Sequence, residues 1–102
     1  MLTLDRPPAA DLRPLRAHTT GDVVVPGERV WGEVLAALDL PDGGAPAAVV
    51  FPANDYDVAA VRSFVRYVGL QAAEAGDDLP GDLARTVVVM EPGTPPPWRF
   101  RR

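Results

Sequence analysis

PAAVVFPANDYDVAAVRSFVRYVGL, residues 46–70, carries two different hydrophobic periods in one short stretch. Ala47 to Phe51 is a continuous apolar run, the pattern of a strand buried on both faces. Pro52-Ala53-Asn54 interrupts it. Asn54 or Asp55 suits a helix N-cap, because a short side-chain oxygen can accept a free N–H of the first turn. Asp55 and Asp57 favour the positive end of that helix. Val58, Val61, Val65 and Val68 follow at spacings of three, four and three, which places them on one helix face. Arg62 and Arg66 fall on the solvent side opposite Val58, Val61 and Val65. Gly69 suits the left-handed position just past a helix end. Leu70 to Ala75 can then form a second strand. Strand, helix and strand over this length predict a βαβ unit with parallel strands and a right-handed crossover.

Upstream, Val23 to Val25 is a short β-branched run stopped by the turn signal Pro26-Gly27. Glu28 to Leu40 carries Val30, Trp31, Val34, Leu35 and Leu38 on one helical stripe, with Trp31 as its anchor in the core. Pro41-Asp42-Gly43-Gly44 ends that helix. Downstream, Gly76 to Gly81 is a polar loop, and Thr86 to Met90 reads as another buried strand closed by Pro92-Gly93. The expected fold class is α/β, a small parallel sheet of about three strands with two or three helices. Residues 1–20 read as an irregular segment, with room for a helical turn in Ala9 to Arg16. Residues 21–91 read as a single α/β domain, and residues 92–102 as a Pro-rich tail with arginines and aromatics.

The chain has 102 residues and 47% hydrophobic content, which suits one small globular domain rather than disorder. It has no cysteine and one histidine, His18, so no metal site of the thiolate or multi-histidine kind can form within it. All ten basic residues are arginine, a usage that looks like a GC-rich bacterial coding sequence. The net charge of −4 argues against general nucleic-acid binding. No apolar run reaches membrane-spanning length, and the N-terminus does not read as a signal peptide, so a cytoplasmic protein is expected.

Three segments together resemble the start of the PCMH-type FAD-binding domain of the vanillyl-alcohol-oxidase superfamily, nearest to its FAD-linked, berberine-bridge-like oxidases. GDVVVPGERVW, Gly21 to Trp31, is similar to the family's opening strand and helix start. Pro46 to Leu70 is similar to its βαβ core, and GDLARTVVV, Gly81 to Val89, to the strand after its diphosphate loop. The resemblance implies the first lobe of that domain, with the sequence ending before the second, antiparallel lobe. In the family, the loop before the last strand is glycine-rich, often with Gly-Gly-His. Its backbone cradles the FAD diphosphate, and in many members the histidine bonds covalently to the flavin. Here that place reads Glu74, Ala75, Gly76, Asp77, Asp78, Leu79, Pro80. Only Gly76 matches, and carboxylates stand where a dianion would sit. The resemblance therefore implies the lobe without its cofactor, with FAD as the alternative.

Asp77 and Asp78 are the candidate acid/base pair, since one of two close carboxylates can hold its proton near neutral pH. A solvated turn before Pro80 is the competing reading. Ser63, the only serine, has no His/Asp arrangement around it. Tyr56 and Tyr67 fit either helix packing or contact with a partner. In the tail, Trp98, Arg99, Phe100 and Arg101 are candidates for partner binding. A narrow sheet leaves edges and a face open, so a homo-oligomer or a protein partner is expected. The resulting reading is a stand-alone, degenerate flavin-domain lobe acting as a non-catalytic binding or assembly module. The alternative is a small component of a FAD-dependent oxidoreductase, or a cofactor-free enzyme reusing the lobe's cleft on a small molecule.

Overall fold

The computed structural model describes residues 12–38, 45–75 and 83–100. Two helices pack on a four-stranded mixed sheet, mostly parallel. The strands are β1 (Asp22–Val24), β2 (Ala48–Phe51), β3 (Gln71–Glu74) and β4 (Thr86–Val89), in the spatial order β1-β2-β4-β3. The helices are α1 (Trp31–Leu38) and α2 (Asp55–Tyr67). Short 3-10 segments cover Arg13–His18, Leu83–Arg85 and Pro97–Phe100.

The two continuous apolar runs become the central strands, and every residue of β2 and β4 is buried. Alternate side chains then sort onto the two faces. Ala48, Val50, Val87 and Val89 join Val61 and Val65 of α2 on one face, with Leu12 and Leu15 from the N-terminal segment. The core thus reaches back beyond Gly21. Val49, Phe51 and Val88 meet Val34 of α1 on the other face, with Val30, Trp31 and Trp98 packed around them.

The expectation of a wholly parallel sheet needs correction. β1 pairs antiparallel with β2, matching Val23 to Val50 and Val24 to Val49. A short β-branched run buries the same side chains in either direction, so its pattern does not record its polarity. β2 and β3 are parallel as expected, but β4 lies between them and pairs with both. The crossover through α2 therefore spans an inserted strand. α1 also starts three residues later than the expected Glu28, because Val25 to Val30 is held in turns (Glu28 N–H to Val25 O, 3.3 Å; Trp31 N–H to Glu28 O, 3.0 Å).

Two backbone details fix how α2 sits on the sheet. Its C-terminus closes as expected at Gly69, with φ +81°. The Gly69 N–H donates to Arg66 O at 3.1 Å and the Leu70 N–H to Val65 O at 2.9 Å. This double closure turns the chain directly into β3. At Gly21, ahead of β1, the backbone lies against Phe51, and any Cβ would overlap the Phe51 carbonyl oxygen. Only glycine permits that approach.

The open face and free edge expected of so narrow a sheet are largely closed. α2 and the N-terminal segment cover one face, while α1 and the tail cover the other. The Trp98 ring meets Phe51 edge-on at 5.8 Å. The outer edge of β1 is occupied by side chains. Arg16 donates to Val23 O at 2.7 Å, Glu28 accepts the Val25 N–H at 2.9 Å, and the two pair at 2.5 Å. They take up backbone groups that would otherwise template another strand. Trp98→Ala is expected to lower stability by about 1–2 kcal/mol, since the ring is half-buried against Phe51. Chemical denaturation of the variant checks this, and an unchanged midpoint would contradict the role of the tail as a cover.

Candidate functional site

In an open α/β sheet, ligands generally lie outside the carboxyl ends of the parallel strands. Here that region is a crevice of about 270 Å³ at the ends of β3 and β4, beside the first turn of α2. Its walls include Asp55, Val58, Glu74, Met90 and Glu91. Three of these are carboxylates, and none is a cation. Glu74, the last residue of β3, pairs with Arg62 of α2. Ala75 closes the strand by donating its N–H to Val89 O at 2.9 Å. Glu74 and Ala75, two residues of the stretch that matches the family's diphosphate loop, line the crevice. Gly76, Asp77 and Asp78 lie outside the described residues.

A helix N-terminus next to such a crevice would ordinarily offer N–H groups to an anion. In α2 the chain's own side chains engage one of those donors, the Asp57 N–H, and the N–H groups of Ala53 and Thr20 outside the helix. Asn54 is the N-cap, and its Oδ1 accepts the Asp57 N–H at 3.0 Å. The Asp57 carboxylate accepts the Ala53 N–H at 2.8 Å, the Thr20 N–H at 3.0 Å and the Thr20 hydroxyl at 2.9 Å. Asp57 is only 5% exposed. Burial pushes its pKa up, but the Thr20 and Ala53 N–H groups and the Thr20 and Thr19 hydroxyls outweigh that and hold it lowered, at about 2. A buried carboxylate thus serves as the local anion and ties residues 19–20 to the start of α2. The sequence signal for it was the N-x-x-D spacing of Asn54 and Asp57, which resembles a capping box. The partner Thr20 is 37 residues away and gave no local sign.

The other candidates are scattered. Trp98 sits on the opposite face of the sheet, against Phe51. The side chains of Arg99 and Phe100, and all of Arg101, lie outside the described residues. His18 stacks on Phe64 of α2 with ring centres 5.4 Å apart. Ser63 and His18 line a common surface depression with Ala60, Phe64 and Tyr67, and among the described residues no carboxylate lines it. Tyr56 and Tyr67 do not pack in the core: they are 86% and 87% exposed, because both project from the side of α2 opposite Val61 and Val65. Among the described residues, no group of acidic or histidine side chains is arranged to hold a metal ion, and no helix is long and apolar enough to cross a membrane.

Comparison of the chain with protein-family models, curated proteins and solved structures finds no match.

Proposed function

We propose that this chain is a non-catalytic binding or assembly module, built like a flavin-domain lobe whose phosphate-binding end has been taken over by its own carboxylates. The observation that carries this reading is the electrostatics of the strand ends. Asp55, Glu74 and Glu91 wall the crevice, and a further carboxylate, Asp57, accepts the Thr20 and Ala53 N–H groups beside the start of α2. A diphosphate brought there meets the carboxylates of Asp55 and Glu91, with Glu74 held by Arg62, so like charge opposes it. The fold provides a rigid platform, and its role is association with a second copy or with a partner protein.

Titration with FAD, followed by flavin fluorescence, tests the reading. No saturable change is expected up to about 100 μM FAD. Saturable binding in the low micromolar range would overturn it. The location of the crevice at the carboxyl ends of parallel strands favours the second reading, an enzyme component using that cleft. Flavin absorbance that copurifies with the protein would support that reading instead.

A further inference from the structure

The outer side of α2 carries an uncharged stripe made of Tyr56, Ala60, Ser63 and Tyr67, spaced four, three and four. That spacing keeps all four on one line of the helix, directly opposite the core line of Val61 and Val65. Two tyrosines more than four-fifths exposed stand at its ends. Small residues occupy its middle, where another helix could approach closely. Beside the stripe lies a depression of about 490 Å³, lined by His18, Ala60, Ser63, Phe64 and Tyr67.

We infer that this stripe is the contact of a homodimer in which α2 pairs antiparallel with α2 of a second copy. The spacing is self-complementary about a point between Val61 and Arg62. A two-fold axis there places Tyr56 level with the partner's Tyr67 and Ala60 level with the partner's Ser63. An isologous contact needs this symmetry, because one patch must serve both sides. The helices cross at Ala60 and Ser63, and the tyrosines close over the ends, with the depression beside the stripe as room for a ring. Tyrosine is suited to such positions, giving large contact area at small entropic cost.

Charge supplies an independent argument. Asp55 and Arg66 lie on the same flank of the stripe, one at each end of α2, and among the described residues neither has an ion-pair partner. The two-fold brings like flank to like flank with direction reversed, so Asp55 comes within one helical turn of the partner's Arg66, twice over. Arg62, on that flank too, is already paired with Glu74. The alternative surfaces are less suitable. The edge of β1 is taken by Arg16 and Glu28, and β3 is a four-residue edge ending in the paired Glu74.

This inference deepens the assembly-module reading by naming its partner, and the two fail separately, since FAD binding leaves the oligomeric state unchanged as a question. A 13-residue helix is about 20 Å long, which sets the contact at the small end of specific interfaces. Sedimentation equilibrium of the full chain from about 5 to about 500 μM should therefore show the mass rising from one chain to two, with a midpoint on the order of tens of micromolar. Ala60→Arg places a charge at the crossing and should raise that midpoint about tenfold or more. Its circular dichroism should stay unchanged. Asp55→Arg and Arg66→Asp should each weaken the dimer about two- to fivefold, and the double variant should recover most of the loss. Trp98→Ala, on the other side of the sheet, should leave the midpoint unchanged. A mass that stays at one chain throughout overturns the inference. So does a dimer that Ala60→Arg leaves intact, or one that the double charge swap fails to recover.

Discussion

Val61→Asp is expected to leave the domain largely unfolded at room temperature. Val61 is 0% exposed and packs among Leu15, Val50, Val65 and Val87, with no cation in that cluster. An aspartate there must either bury an unpaired charge or keep its proton at the cost of a buried polar group. Either route costs about 3–5 kcal/mol, against a total of about 5–15 kcal/mol for a typical domain and less for one this small. Arg62→Ala, one residue along, removes only the exposed pair with Glu74 and should cost less than about 1 kcal/mol. Urea denaturation followed by circular dichroism compares the two directly. Coincident transitions would mean that the assigned face of α2 is wrong.

Asp57→Ala should have the second-largest effect, a loss of about 1–3 kcal/mol, because it leaves the part-buried Thr20 and Ala53 N–H groups without their acceptor. Asp57→Asn should fall between it and the wild type. The amide keeps one oxygen for a donor but turns its own N–H groups toward the other. The acid titration gives a more specific signature. The folded-state pKa of Asp57, about 2, lies below its ordinary value of 3.8, so the unfolded chain takes up its proton first as pH falls. The contribution of Asp57 is therefore complete above pH 3.8 and is lost as pH drops through about 2. In Asp57→Asn that leg is absent, and the stability difference between variant and wild type should shrink across that window. A difference that stays constant from neutral pH to pH 2 would show that the carboxylate's charge plays no part.

The location of the candidate site was partly legible in the sequence. Glu74 and Ala75 read as the end of a strand and the start of a loop, and in the fold they line the crevice. Only the local half of the role of Asp57 was visible. Its helix-start position predicted a favourable dipole interaction, but the donors that bury it come from Thr20, which only the packing of the N-terminal segment brings near. The exposed tyrosines show the same limit from the other direction. Periodicity put Val61 and Val65 inside, yet it left Tyr56 and Tyr67 ambiguous, because tyrosine is at home in either setting.

The sequence by itself determined those features that depend on neighbours along the chain. AVVF and TVVV read as strands buried on both faces, since nearly every residue along them is apolar and needs cover. Asn54 and Gly69 marked the ends of α2 through hydrogen bonds made within a few residues. Tertiary structure alone decided the polarity of β1, the insertion of β4 between β2 and β3, and the burial of Leu12 and Leu15. It also turned Trp98 onto Phe51 and thereby closed a face that a narrow sheet would otherwise expose. The physical reason is common to all of these. Local hydrogen bonding and periodicity fix which side chains must be buried, whereas strand direction, strand order and the choice of covering segment depend on contacts between distant residues whose apolar patterns fit more than one arrangement.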